Sequence, residues 1–429
     1  MRKLIFIFFL PVIAQAQVPL LTAEEALKTG LKNNFNIIVA RNDAEADSIF
    51  NSPGEAGMLP SIWLNAGAGI NRNSIRQKFV NGTEISSPDA GSQNLNASVV
   101  LSWTLFDGAK MFVTRQKLST VQVQGELEFR AAVLNTSAQI LSTYYDAVRQ
   151  KQKLLAVSEL IKASEERLKI TRSRFESGLG PKTDLNQAKI DLNLERAKQL
   201  EQQEMLSTSK RTLNLALGRD IAIIFEVIDS IPEKALSDRA QLEQKMLSAN
   251  PELQSFHSQL LIAQLGMREY RTQYYPRLSM QAGYGFNFSQ STAGFSLYNQ
   301  SNGWQTGLTL AIPIYQAGMV RRRVAVSSLE MHSTEMQFKQ ANLEASLQLQ
   351  SDLAGYDTRN AMITLEKENV NLARENMNLS LERLRLGQTT SFEVQLAQIS
   401  LSGALLRLAD LQYELKSAEI NIHRLAAEL

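Results

Sequence analysis

Phe106-Asp107-Gly108-Ala109 opens a stretch of sequence that closes at Arg174-Phe175-Glu176-Ser177-Gly178, and this stretch occurs twice. The second copy runs from Tyr315-Gln316-Ala317-Gly318 to Arg383-Leu384-Arg385-Leu386-Gly387, 209 residues later and without a gap. Neither copy contains proline, and each has one glycine between its ends, so each predicts a single long helix. At ~1.5 Å of rise per residue, such a helix is roughly 100 Å long.

A ladder of apolar residues with a seven-residue period runs along each copy. Its members are Leu154, Ile161, Leu168 and Phe175 in the first copy and Ile363, Val370, Met377 and Leu384 in the second. This period is typical of a coiled-coil seam. After Gly178 and Gly387, whose residue type suits the left-handed backbone that ends a helix, the helical pattern resumes. The sequence therefore predicts two helical hairpins, at about 109–217 and about 318–427.

Strict alternation of apolar and polar residues precedes each long helix. It predicts strands at about 61–71 and 95–105 in the first half and at about 277–288 and 304–314 in the second. The connecting stretches are rich in Ser, Asn and Gly and predict loops over 72–94 and 289–303. Strands of about 11 residues with one apolar face fit an outer-membrane barrel, which needs roughly 9–11 residues per strand. The same pattern also fits a soluble sheet that packs one face on a core.

Aromatic residues near the strand ends favour the membrane interpretation, because amphipathic rings prefer the membrane interface. The predicted interface aromatics are Trp63, Trp103, Trp304 and Phe288. Arg321-Arg322-Arg323 follows the last strand, and we expect this run to be solvated or to face lipid headgroups.

The first residues have the pattern of an export signal. Arg2-Lys3 precedes an apolar run from Leu4 to Ala14, and an Ala-x-Ala site follows, so residues 1–16 are predicted to be a signal peptide. No later apolar run reaches the roughly 18 residues of a transmembrane helix. The chain has no cysteine, which excludes a disulfide framework and a lipidated cysteine, and its net charge of +2 does not indicate a nucleic-acid partner.

Each half also begins with a predicted helix. Thr22-Ala23-Glu24-Glu25 is a capping box before a helix to about Phe50, and a counterpart runs from Asp238 to about Thr272, with Asn34 matching Asn250. The predicted organisation is thus a first repeat over 17–217, a linker over 218–236 and a second repeat over 237–429.

The whole predicted mature chain resembles the TolC-like outer-membrane efflux proteins. The resemblance rests on the duplicated order of elements, on the strand starts at Pro60 and Pro276, and on the strand-to-helix junctions Leu-Phe-Asp-Gly and Ile-Tyr-Gln-Ala-Gly. It also rests on the turn motifs Phe175-x-x-Gly178-(x)4-Thr183-Asp184-Leu185-x-x-Ala188 and Leu384-x-x-Gly387-(x)5-Glu393-Val394-x-x-Ala397-Gln398.

The resemblance implies a mainly α fold with a membrane β-barrel. Three chains with four strands each would form a 12-stranded barrel that an α-helical barrel continues across the periplasm. It further implies a passive exit duct of a tripartite efflux or type I secretion system, with a periplasmic adaptor and an inner-membrane pump or ABC exporter as partners. An independent reason for association is that lipid cannot satisfy the open edges of a four-stranded sheet.

By position, the resemblance places the periplasmic entrance after the two helical turns. Thr183 and Asp184 follow the first turn and Glu393 follows the second, where three copies of Glu393 would form a carboxylate ring able to bind cations. The alternative for Asp184 and Glu393 is a local role, in which an acidic residue in the first turn of a helix meets the helix dipole.

The resemblance also places contacts with the adaptor at the turns themselves, which contain Gly178, Gly387, Arg174 and Arg383.

No residue pattern predicts catalysis, a cofactor or a metal. There is no Ser/His/Asp arrangement or phosphate loop, and His257, His332 and His423 lack ligand partners at the usual spacings. The alternative function is a secreted or periplasmic coiled-coil scaffold without a channel. The sequence does not identify the exported substrate.

Overall fold

The computed structural model describes residues 19–233, 236, 238–293 and 296–429. The predicted signal peptide, residues 1–16, lies outside the described residues. The chain divides into two units. One contains the N-terminal segment to Arg41 together with Phe129–Pro251 and Asn342–Leu429, and the other contains Asn42–Glu128 and Glu252–Ala341.

Most of the described chain is helical. The helices are α1 (Ala23–Asn33), α2 (Phe35–Phe50), α3 (Lys110–Glu176), α4 (Lys182–Ala216), α5 (Arg239–Ala249), α6 (Pro251–Arg271), α7 (Met319–Arg385) and α8 (Ser391–Leu425), with a 3-10 turn at Thr272–Tyr274. The strands are β1 (Ser61–Lys78), β2 (Glu84–Phe106), β3 (Arg277–Ser291) and β4 (Tyr298–Ala311). No helix among the described residues combines the length and the apolar character that crossing a membrane requires.

The four strands form one antiparallel sheet in the order β1-β2-β3-β4. The register pairs Leu64 with Val99 and Val99 with Tyr284, and it pairs Asn65 with Ser98. Paired residues lie on the same face, and neighbours along a strand lie on opposite faces. The alternation in the sequence therefore corresponds to one apolar face and one polar face that continue across the sheet.

The predicted loop over 72–94 is wrong, because most of it is strand. β1 continues to Lys78 and β2 begins at Glu84, with pairs such as Arg76 to Ser86 along the added part. Most side chains of this hairpin are exposed on both faces. An alternation pattern detects only strands that have an apolar face, so it ends where the hairpin becomes polar on both sides.

The second hairpin also differs from its predicted limits. β3 continues to Ser291, and β4 begins at Tyr298 and ends at Ala311, whereas the sequence predicts a strand over 304–314. The earlier end follows from Pro313, which has no backbone N–H for the ladder.

The helix predicted at the start of each half is interrupted once. α1 ends before Asn34 and α5 ends before Asn250, each of which has extended backbone. The Asn34 amide donates to the Ala216 carbonyl at 2.8 Å, and the Asn250 amide donates to the Leu425 carbonyl at 3.0 Å. These carbonyls belong to the last residues of α4 and α8, where helical partners are missing. Each asparagine therefore joins its helix break to the end of the returning helix.

The first unit has its main core near the linker between the halves. Leu21, Tyr144, Leu213 and Phe225 belong to this buried cluster. The Tyr144 hydroxyl donates to the Leu21 carbonyl at 2.9 Å, and Leu20 forms a parallel bridge with Glu226. This bridge joins the linker to the N-terminal segment.

Candidate functional site

The two helical turns have the same backbone geometry. Gly178 has φ of 74° and Gly387 has φ of 76°, both in the left-handed region. In the first turn the Leu179 amide donates to the Arg174 carbonyl at 2.8 Å, and in the second the Gln388 amide donates to the Arg383 carbonyl at 2.8 Å. Together with a second bond from each glycine amide, this is the Schellman arrangement that ends a helix at a glycine. The two glycines thus serve the turn conformation.

The two arginines of the turns differ in what they contact. The Arg174 guanidinium donates to the Leu384 carbonyl at 2.8 Å and so joins the end of α3 to the end of α7. Arg383 remains in its own turn, where it lies 3.5 Å from the Gln388 carbonyl. The structure therefore brings the two turns together through Arg174.

Glu393 takes part in the N-terminal cap of α8. Its backbone N–H donates to the Thr390 hydroxyl at 3.2 Å, and its exposed carboxylate accepts a hydrogen bond from the Thr389 hydroxyl. Both contacts stabilise the first turn of the helix, as the local alternative for this residue requires. The same carboxylate is solvent-accessible, so the geometry leaves it able to meet an ion as well.

Thr183 and Asp184 lie in the first turn of α4. Pro181 precedes this helix and makes no side-chain cap. Thr183 is exposed and Asp184 is half-buried. An uncapped helix start has orphan N–H groups, and an acidic side chain beside them is favourable.

The seven-residue ladder of α7 is deeply buried, as a coiled-coil seam should be. Its four members are between 2% and 5% exposed, and Met377 and Leu384 pack with Val394 and Leu401 of α8 and with Leu160 of α3. The ladder of α3 is less uniform. Ile161 and Leu168 pack against Leu192 of α4, whereas Phe175 at the end of α3 is 38% exposed.

A second ladder on α7 is exposed, and the sequence reasoning missed it. Leu365, Leu372, Leu379 and Leu386 also recur every seventh residue, and they are 57% to 69% exposed. They come two residues after the members of the buried ladder, which places them about 200° around the helix. The signal was present in the sequence as a second apolar heptad position. α7 therefore has two apolar seams, one buried and one that no other described residue covers.

Ion pairs join the C-terminal part of α3 to its neighbours. Arg374 and Arg385 of α7 donate to Glu159 and Glu166 of α3 at 2.8 Å and 2.7 Å. Arg167, whose side chain is only 1% exposed, pairs with Asp191 of α4. No local sequence signal indicates these pairs, since each partner lies on another helix.

The predicted interface aromatics do not all share one face of the sheet. Trp304 pairs with Tyr284, and their rings lie 5.1 Å apart at 63° on the apolar face. The Trp103 indole donates to the Met58 carbonyl at 2.9 Å on the same face. Trp63 has the opposite parity and lies on the face of Asn65, while Phe288 pairs with Leu95 farther from the helices. Trp63 and Trp103 lie near the strand ends that join the helices, whereas Trp304 lies midway along β4.

Among the residues that the structure describes, no group of three or more His, Asp or Glu side chains is placed to hold a metal ion. The His423 ring instead lies 2.7 Å from the Glu428 carboxylate, which also pairs with Lys245.

The family described as outer membrane efflux protein matches residues 26–219 and 242–428 of this chain. The chain belongs to this family. Its members are channel proteins of the outer membrane that serve efflux and secretion, and this assigns the chain to that membrane and to that class of transport.

Individual relatives agree with this assignment. The chain is 22% identical over 330 residues to the proteases secretion protein PrtF of Dickeya chrysanthemi, covering 75% of this chain and 68% of PrtF. It is 20% identical over 403 residues to the probable efflux pump outer membrane protein TtgC of Pseudomonas putida, covering 94% of this chain and 82% of TtgC. The CmeC outer membrane channel of Campylobacter jejuni has the same fold, with a TM-score of 0.79 at 16% identity over 95% of this chain and 85% of CmeC.

Proposed function

We propose that three copies of this chain close into one passive duct that runs from the periplasm through the outer membrane. A periplasmic adaptor and an inner-membrane pump or ABC exporter would open the duct and supply its energy. The chain itself would carry no catalytic residue, because its part is to enclose a polar path.

The exposed ladder of α7 is the observation that carries this proposal. Four leucines at 57% to 69% exposure are costly to leave in water, at ~25 cal/mol for each Å² of apolar surface. A seven-residue period fits another helix rather than an irregular partner. On α4, Ile190 and Leu194 are exposed at 59% and 54% and offer a matching apolar stripe. We infer that α7 of one protomer packs on α4 of the next.

The sheet supports the same closure. β1 and β4 are the outer strands, and each has a single strand partner among the described residues. Unpaired backbone groups cannot be left in lipid, so four strands with an apolar face need copies of themselves. Three copies with four strands each would close a barrel of 12 strands, whose polar faces line the duct.

The proposal is tested by the mass of the purified protein in detergent together with its conductance in a planar bilayer. We expect a trimer and discrete channel openings. A monomer that gives no conductance would contradict the duct and would favour the coiled-coil scaffold, which would fractionate as a soluble protein. Of the relatives named above, one is a proteases secretion protein and one is a probable efflux pump protein, so we assign the choice of cargo to the inner-membrane partner.

Glu393 provides a test of the entrance. If three Glu393 carboxylates form a ring, then Glu393→Gln should weaken block of the conductance by divalent cations. The glutamine keeps an oxygen that can accept from the Thr389 hydroxyl, so the helix cap is retained. Glu393→Ala removes both the charge and the cap. Equal cation block in the wild type and in the glutamine variant would restrict Glu393 to capping α8.

A further inference from the structure

The junction between the sheet and the long helices has an unusual concentration of arginine in the second unit. Six exposed arginines lie in the residues that join α6 to β3 and β4 to α7. They are Arg268 and Arg271 at the end of α6, Arg277 at the start of β3, and Arg321, Arg322 and Arg323 at the start of α7.

None of these six arginines has a carboxylate within ion-pair distance among the described residues. Their hydrogen bonds go to neutral acceptors: Arg322 donates to the Ala317 carbonyl at 2.9 Å, and Arg323 donates to the Gln273 side chain at 3.1 Å. Arg277 donates to the Thr104 hydroxyl at 3.1 Å. These six guanidinium groups are therefore without an ion pair among the described residues.

Several other cations of the same unit are paired. At the far end of the β1–β2 hairpin, Arg76 pairs with Glu84 at 2.8 Å. Lys110, the first residue of α3, and Lys117 lie 3.6 Å and 3.3 Å from the Glu269 carboxylate. The six unpaired arginines are thus grouped where the sheet meets the helices.

A small cavity lies at this level. It has a volume of about 190 Å³ and is lined by Tyr274, Ile314, Tyr315 and Arg321, among others. Ile314 is 95% exposed and Tyr315 is 85% exposed, and both follow the end of β4, which contains the exposed apolar residue Leu310. A water molecule occupies about 30 Å³, so a headgroup phosphate fits in this space. Aromatic rings beside a cation at the edge of an apolar band are the composition that membrane interfaces favour.

We propose that this cavity and the arginines around it bind the headgroup of an anionic phospholipid of the periplasmic leaflet. The Arg321 guanidinium pairs with the phosphate, as guanidinium groups do with oxyanions, and Ile314 and Tyr315 contact the upper acyl chains. The inference rests on the proposed duct, because it requires the sheet to be embedded in the membrane with its helical end on the periplasmic side. The site would hold the barrel at a fixed depth.

The test is retention of lipid by the purified full-length mature protein, measured by native mass spectrometry after exposure to equal amounts of phosphatidylglycerol and phosphatidylcholine. We expect the wild type to retain phosphatidylglycerol preferentially. Arg321→Gln should reduce that retention about fivefold, the effect of one arginine at an anionic surface. The combined change of Arg321, Arg322 and Arg323 to Gln should remove the preference.

A matched control removes the same charge elsewhere. Arg130, Arg172 and Arg211 are also exposed and without ion pairs among the described residues, and their combined change to Gln should leave the preference intact. An excess of inorganic phosphate should not displace the lipid. Equal retention of both lipids by the wild type, equal loss in the control, or displacement by phosphate would each overturn the lipid site.

Conductance and oligomeric state, measured on the same samples, distinguish failure of the lipid site from failure of the duct and from a contact between protomers. A wild type that conducts but shows no lipid preference contradicts the lipid site alone, whereas a wild type that does not conduct contradicts the duct. If Arg321→Gln dissociates the oligomer, the cavity is a contact between protomers, and the lipid assignment is wrong.

Discussion

The long helices α3 and α7 have the same length of 67 residues and end in the same kind of turn, yet a single chain covers them differently. Ile170 of α3 is 6% exposed, whereas Leu379, its equivalent on α7, is 57% exposed. Ala156 is 6% exposed, and its equivalent Leu365 is 62% exposed. At these two positions α3 is buried and has isoleucine and the smaller alanine, whereas α7 is exposed and has leucine at both.

This difference teaches that duplication repeats an element without repeating its surroundings. Ile170 packs in the cluster formed with Met377, Val394 and Leu401, so the second hairpin covers the first. Among the described residues, no third hairpin covers α7 in turn. A surface that is core in the first copy therefore becomes an interface in the second.

We expect the largest effect from substitutions in the exposed leucine ladder of α7. Changing Leu372 and Leu379 together to Glu should abolish the trimer and its conductance, because carboxylates without partners would have to be buried between protomers. Mass in detergent and conductance are the two measurements. Asn371→Glu with Asn378→Glu, each one residue earlier on the helix, adds the same charge off this face and should leave the trimer intact. A trimer that survives the leucine changes would mean that α7 is not the interface.

A buried ion pair that only the first copy has should give the next largest effect. Arg167→Met leaves the Asp191 carboxylate buried without its cation, and the expected loss is about 3–5 kcal/mol in the free energy of unfolding. Asn376 occupies the position of Arg167 in the second copy and is exposed, so Asn376→Met should change stability by less than about 0.5 kcal/mol.

Denaturant unfolding of both variants measures this contrast between the copies. The double variant Arg167→Met with Asp191→Leu should regain most of the loss, because it leaves no unpaired charge. A similar loss in the single and double variants would show that the packing of Arg167, not its charge, stabilises the hairpin.

The two helical turns have the same geometry, so replacing the glycine of either turn should reduce stability by the same amount. Gly178→Ala and Gly387→Ala each place a Cβ in the left-handed region, at an expected cost of about 1–2 kcal/mol. A Cβ would meet nothing within 4 Å at Gly178 and only ordinary contacts with Arg174 at Gly387, so backbone strain is the common cause. Thermal unfolding of the two variants should give equal shifts. A much larger decrease in melting temperature for Gly387→Ala would indicate that the hydrogen bond from Arg174 to the Leu384 carbonyl depends on glycine at position 387.

The smallest expected effect concerns the linker between the copies. Burial raises the pKa of the Glu226 carboxyl, but hydrogen bonds and charge from Lys210 and Lys151 outweigh burial, so the pKa lies below its ordinary value of 4.5. A lowered pKa in the folded state stabilises the protein above pH 4.5, and this contribution is lost as the pH falls through the folded-state pKa. Glu226→Gln should therefore reduce stability at neutral pH and matter progressively less in acid.

The side chain is 43% exposed, so solvent screening should keep this effect below about 1 kcal/mol. Denaturant midpoints of the wild type and the variant, compared at neutral and acid pH, measure it. A difference that does not change with pH would assign the effect to packing.

Sequence reasoning found the features that repeat within one element. The Schellman turns at Gly178 and Gly387 follow from glycine at the end of a helical pattern, and the two faces of the sheet follow from alternation. It missed the interruptions at Asn34 and Asn250, although it matched the two residues, because a lone asparagine inside a helical pattern does not show that its amide reaches a distant carbonyl.

The sequence by itself determined the elements and their duplication, since helical and strand periods and turn residues act over a few residues at a time. It also contained the second ladder of α7. Only the tertiary structure decided that Leu365 and Leu379 are exposed while Ala156 and Ile170 are covered, and that Arg167 meets Asp191. The physical reason is that burial and pairing depend on which elements meet in space, and two copies of one pattern meet different neighbours.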